Sequence, residues 1–206
     1  MSNSLRVLHI IPAAFEYFDD IKDYAFGLVG EMNSYNNIVA DVFTLQYSSP
    51  TRLEKASVEA LAPEQEYVGL ESVEEAVDDF SSYDIIHLHA PFLGGAKRIM
   101  QWKDDHPEVP LIITYYRSVD VVDLIALGIR WCNNYYLNKL FKRANFITVF
   151  PWSEKRARQI AARSGAGEKI ELLDEFKGGN SGIVLHKHLK QKELVKHFFN
   201  LYGQFI

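Results

Sequence analysis

The stretch Tyr83-Asp84-Ile85-Ile86-His87-Leu88-His89-Ala90-Pro91 decides the fold. A short apolar run enters behind Asp84 and leaves through Pro91 and the pair Gly94-Gly95. That pattern reads as a buried parallel strand opening onto a turn and then a helix. Ligands of open α/β sheets bind at the carboxyl ends of strands, so His87 and His89 stand near the expected working edge.

Working outward, strands and helices alternate. Leu5 to Ile11 reads as a first strand closed by Pro12, followed by a helix over 21–35 with Tyr24, Leu28, Met32 and Tyr35 on one face. A strand is expected over 38–45, a polar loop with a helical turn over 46–65, and a short strand over 66–68. Ser72-Val73-Glu74-Glu75 matches a helix-capping box. After the strand over 84–89 come a helix over 95–105, a strand over 111–115, a long helix over 121–142 and a strand over 146–150. Ser153 is then expected to cap a helix reaching Arg163, and a strand over 169–173 closes the series. The implied fold is α/β, a doubly wound parallel sheet covered on both faces. Lys177-Gly178-Gly179-Asn180-Ser181-Gly182 has the composition of a flexible joint. The expected organisation is therefore a domain over 3–176, a linker over 177–186, and a terminal helix within 187–206 that packs back on the domain.

Composition narrows the function. At 206 residues and 48% apolar, the chain can bury one full core. A net charge of −5 gives no general attraction to nucleic acid. The single cysteine, Cys132, excludes an internal disulfide framework. Leu5 to Pro12 is short and carries Arg6 and His9, so no signal peptide is expected, and no uncharged run reaches the ~20 residues of a membrane span. The expected location is cytoplasmic, with contact at a membrane surface left open.

Several side chains invite chemistry. His87 and His89 at i and i+2 point to one side of their strand, but no third ligand stands nearby in sequence. A hydrogen-bonding role is the favoured reading, and no metal or cofactor is expected. Arg117, with Asp120 and Asp123 beyond a strand end, could hold an anion, but pairing with Asp120 or Glu16 is favoured. The helix over 121–142 is apolar around much of its circumference, so its first half is expected to be buried, while its aromatic and basic later half suits an anionic membrane or a partner. Lys155, Arg156, Arg158 and Arg163 read as a solvated face. No phosphate-cradling loop, Cys-x-x-Cys pair or nucleophile elbow is present.

Taken in order, Arg6 to Pro12, Asp19-Asp20-Ile21 through Leu28, Asp84 to His89, Pro110 to Tyr115 and Asn138 to Val149 resemble the amino-terminal domain of family-4-type glycosyltransferases of GT-B architecture. The resemblance spans about residues 5 to 175 and implies a role in polysaccharide biosynthesis, with the first Rossmann-like domain holding the acceptor. A second domain would hold the nucleotide sugar through paired glutamates, and a last helix would cross back onto the first. Set against that pattern, the resemblance implies that the second domain is missing here, and three donor-handling features with it. Asp19-Asp20 stands where the family has Gly-Gly, Tyr116 and Arg117 stand where it has a histidine, and the paired glutamates are absent. The resemblance therefore implies an acceptor-side domain, inactive alone, that needs a donor-binding chain or a second copy of itself. A glycan or lipid-linked acceptor would meet Phe15, Asp19, Asp20, His89, Pro91, Tyr116, Arg117 and Trp152, all expected in strand-end loops. A binding or scaffold protein on the same fold is the alternative. The absence of a glycine-rich loop after Ile11 argues against a dinucleotide site.

Overall fold

A computed structural model of the chain describes residues 4–12, 18–35, 37–45, 51–55, 66–68, 79–91, 95–173 and 189–205. Among the described residues, eight strands form one sheet: β1 (Leu5–Pro12), β2 (Ile38–Leu45), β3 (Thr51–Lys55), β4 (Glu66–Val68), β5 (Ile85–Ala90), β6 (Leu111–Tyr115), β7 (Phe146–Val149) and β8 (Ile170–Leu172). Their spatial order is β4-β3-β2-β1-β5-β6-β7-β8. The six strands from β2 to β8 through β1 run parallel, and β3 and β4 are antiparallel additions at one edge. The fold is thus a Rossmann-like, doubly wound α/β sheet. Strand order reverses between β1 and β5, the switch point at which such sheets open a crevice.

Among the described residues, five helices flank the sheet: α1 (Asp19–Met32), α2 (Ala96–Asp105), α3 (Leu124–Arg143), α4 (Glu154–Ser164) and α5 (Leu189–Tyr202). In α1, Ile21, Tyr24, Ala25, Leu28, Val29 and Met32 are buried, the three-and-four spacing of a core-facing stripe. Asn33 ends that helix and clamps β2, its amide donating to the Ala40 carbonyl and accepting from the Ala40 N–H, both at 2.8 Å. Gly95 at φ 55° begins α2 and Gly165 at φ 72° ends α4, left-handed conformations that glycine adopts without Cβ strain. Asp123 caps α3 by accepting from the Ala126 N–H at 2.7 Å.

The central strands are buried from end to end because each face has its own cover. Ile86, Leu88, Leu111, Ile113 and Ile147 face α2, the later turns of α3, and α4. Val7, Ile11, Ile85 and Ile112 face α1 and α5. Leu194, Val195, Phe198, Leu201 and Tyr202 of α5 are fully buried there, each worth about 1.5–3 kcal/mol before the entropy of ordering the helix is subtracted.

Several expectations need correcting. Thr51–Lys55, expected in a loop, is a strand antiparallel to β2, with Thr44 opposite Arg52 and Asp41 opposite Lys55. The unpaired backbone edge of β2 supplies the hydrogen bonds, and the side-chain pattern gives little sign of it. Ser153 precedes α4 but does not cap it with its side chain; its hydroxyl donates instead to the carbonyls of Tyr115 and Phe150. The first half of α3 is not buried: Leu124, Leu127 and Trp131 are exposed. Among the described side chains of that half, Ala126, Ile129 and Asn133 reach the interior, and no described residue covers the opposite side of this outer-layer helix. Ser72 and the segment 177–182 lie outside the described residues.

Phe198 packs over the sheet with its ring 4.7 Å from that of His87 and 5.8 Å from that of Tyr202. Phe198→Ala should therefore cost about 3–5 kcal/mol in urea unfolding. A loss below ~1 kcal/mol would mean that α5 is not integral to the core.

Candidate functional site

The candidate site lies on the α1/α5 face of the sheet and at its carboxyl edge. Parallel pairing sets His9 of β1 directly beside His87 of β5. His89 follows two residues later on the same face, opposite Thr114 of β6. All three imidazoles are completely buried. His87 Nδ1 lies 2.6 Å from the Tyr202 hydroxyl, and its Nε2 lies 2.7 Å from Thr114 Oγ1, which continues to Thr148 Oγ1 at 2.7 Å. His89 Nδ1 lies 2.8 Å from the Tyr116 hydroxyl, and its Nε2 lies 3.0 Å from His9 Nδ1. A chain of hydrogen bonds therefore links three strands to the last turn of α5.

Within the His9–His89 contact one nitrogen donates and the other accepts, as neutral imidazoles do. Burial pushes His9 down to about 3 and lowers His87 and His89 well below the ordinary histidine value, with mutual repulsion adding to both. Burial likewise raises Tyr116 and Tyr202 well above the ordinary tyrosine value. At neutral pH all of these groups are uncharged. His9 Nε2 and the Tyr24 hydroxyl are buried without a hydrogen-bond partner among the described residues.

His9 is the third imidazole that local sequence did not offer. One ring nitrogen from each of His9, His87 and His89 lies within 4.8 Å of the other two. Three neutral imidazoles are a chemically suitable donor set for zinc. Their present arrangement is a hydrogen-bonded one: the His87 and His89 rings stack at 4.5 Å with planes 18° apart, and both nitrogens of each already have partners. Stacked rings send their nitrogens side by side rather than toward one point, so coordination would require breaking these bonds and turning rings.

The sequence-derived site residues separate into two layers. His89 and Tyr116 belong to the buried cluster, and the Trp152 indole braces it by donating to the Tyr116 carbonyl at 2.9 Å while stacking on Phe150. Pro91 is buried at the end of β5. The solvent-facing layer holds Arg117, which reaches Asp20 through two nitrogens at 3.1 Å and Asp120 at 3.3 Å. Of the two expected partners, Asp120 is paired with Arg117 and Glu16 lies outside the described residues; Asp20, not among the expected partners, joins the loop after β6 to the start of α1. Phe15 lies outside the described residues, as does the side chain of Asp19. Sequence reading missed His9, Thr114, Thr148 and Tyr202. The available signal was the polar residue in the middle of each buried strand, which must find a partner.

Three cavities lined by described residues lie at the other end of the sheet. One of about 440 Å³ is lined by Lys103, Asp104, Pro107, Arg143, Asn145 and Lys169. Its cations are already committed: Lys103 and Lys169 donate to backbone carbonyls, and Arg143 forks onto Asp104 at 2.6 and 2.7 Å.

No protein-family model and no curated protein matches the chain. Solved structures that align with it include an inactive zymogen of a C11 protease from Parabacteroides distasonis, at 10% identity and TM-score 0.37 over 72% of this chain and 42% of that one. Another is the orphan response regulator HP1043 of H. pylori, at 14% identity and TM-score 0.32 over 80% and 99%. A third is a secreted C11 cysteine protease from Bacteroides thetaiotaomicron bound to an irreversible peptide inhibitor, at 11% identity and TM-score 0.40 over 82% and 47%. The chain spans about two-fifths of the length of the first of these, and the likeness carries no functional argument.

Two outcomes are expected from the cluster. Unfolded histidines titrate near 6.5 and the buried ones lower, so acid loads protons onto the unfolded chain first. Stability contributed by the neutral cluster is complete above pH ~6.5 and falls as the pH drops toward the lowered values. Thermal melts should show Tm declining from about pH 6.5 downward, and His9→Gln should flatten that decline. A Tm unchanged between pH 7 and 5 would contradict the assignment. Tyr202→Phe leaves His87 Nδ1 without its hydroxyl and should cost about 1–3 kcal/mol in urea unfolding.

Proposed function

We propose that this chain is the acceptor-side half of a GT-B-like glycosyltransferase assembly, completed by a donor-binding domain or chain. The observation that carries the reading is the Asp20–Arg117–Asp120 ion lattice at the carboxyl edge of the sheet. A nucleotide-sugar diphosphate approaching there would meet the half-exposed carboxylate of Asp20 and a guanidinium already held between two anions. The donor site must then be supplied from outside. The ordered resemblance along the sequence supports the same reading, as does α5, which returns to the α1 face after the segment where the second domain would stand.

His89 has no solvent access, so acid–base chemistry on a substrate cannot pass through it without displacement of the residues around it. That burial also favours the second reading, a non-catalytic binding or scaffold protein that has kept the fold. Its partner would be another protein chain or a glycan.

Calorimetry with a panel of uridine- and guanosine-diphosphate sugars on the chain alone tests the proposal. No donor binding is expected, and retention on an immobilised oligosaccharide or lipid-linked saccharide is expected. Tight donor binding would overturn the acceptor-side assignment. Absence of both interactions would leave the scaffold reading in its place.

A further inference from the structure

The exposed face of α3 is the most unusual surface among the described residues. Leu124, Leu127, Trp131 and Tyr135 lie along one side of the helix at spacings of three and four, with Val121 and Val122 just before it. Leu124 is 85% exposed, Val122 74% and Trp131 69%. A contiguous apolar stripe of this kind on an outer helix is a contact surface rather than ordinary solvent-facing residues. Beyond it, Lys139 donates to the Tyr135 hydroxyl at 2.7 Å and sits 4.1 Å over its ring, and Lys142 is exposed one turn further on.

Charge decides what covers the stripe. No aspartate or glutamate occurs in the 20 residues of α3. Across residues 124–163 there are eight lysines and arginines against the one carboxylate of Glu154, a net of +7 in a chain whose total is −5. α4 lies alongside α3, linked by Arg156 donating to Asn134 at 2.8 Å, and exposes Lys155, Arg158 and Arg163. Apolar and interfacial aromatic side chains flanked by cations form the composition of a helix lying in the plane of an anionic bilayer. No described helix is long and apolar enough to cross a membrane.

We infer that the α3–α4 face docks on the surface of an anionic lipid bilayer, with Leu124, Leu127 and Trp131 entering the headgroup boundary and Arg130, Lys139, Lys142 and Lys155 meeting lipid phosphates. α3 is the next element after β6, joined to the carboxyl end of that strand by the segment 116–123, so docking brings the carboxyl edge of the sheet close to the membrane. The inference stands without the glycosyltransferase reading, because it needs only this surface.

The test is co-sedimentation of the whole chain with phosphatidylcholine vesicles, with and without phosphatidylglycerol. Anionic lipid should raise partitioning at least ~10-fold, and added salt should reverse much of the gain. Brominated lipid should quench Trp131. Trp131→Glu with Leu124→Glu should abolish binding, and Lys139→Glu with Lys142→Glu should remove the preference for anionic lipid. All four side chains are exposed, so unchanged circular dichroism and Tm would confirm that these variants fold. Absence of vesicle binding, or equal binding to neutral and anionic vesicles, overturns the inference. So does a dimer in ultracentrifugation that Trp131→Glu dissolves while no lipid is bound, which assigns the face to a second copy.

Discussion

Three imidazoles buried at the centre of a parallel sheet constrain this structure more than any other group. A neutral imidazole tolerates burial only when its nitrogens find partners, and a charged one hardly tolerates it at all. His87 and His89 sit on β5, yet their partners come from β1, β6 and the last turn of α5. The cluster therefore ties the end of the chain to its beginning. A helix held by Leu194, Val195, Phe198 and Leu201 through shape alone could slide; the 2.6 Å contact between Tyr202 and His87 gives it a register.

That constraint also divides the carboxyl edge into two chemical layers. The inner layer is closed and uncharged, with His89, Tyr116 and the bracing Trp152 forming a wall. The outer layer is charged and internally balanced, with Arg117 holding Asp20 and Asp120. Together they close the carboxyl edge with a buried, neutral wall behind a charged rim whose ions are paired with one another. Fold by itself does not select a reaction, and the many chemistries hosted on doubly wound sheets make that caution concrete here.

The helices divide in the same way. α1 and α5 bury their apolar stripes against the sheet, while the first half of α3 shows a second stripe to solvent. A helix that is apolar nearly all round normally lies in a core. Here its inner side packs through Ala126, Ile129, Asn133 and Leu137, and its outer side stays uncovered beside a concentration of positive charge. The −5 total conceals this segregation, because the remainder of the chain carries the compensating acids.

Local pattern alone was enough to identify the alternating elements. The apolar runs of β1, β2, β5 and β6, the stripe of α1 and the glycine that opens α2 are properties of neighbouring residues, and local pattern reads them directly. So is the placement of Arg117 after β6, where Asp120 stood close in sequence to pair with it. The pairing of Thr51–Lys55 depended on a free edge of β2, a backbone property that side chains do not announce. The union of His9 with His87 and His89 depended on which strands become neighbours across 78 and 80 residues of chain, and the outward turn of Leu124 and Trp131 on which side of α3 the sheet happened to occupy. Periodicity reports that a residue has a face; only the packed sheet determines what that face meets.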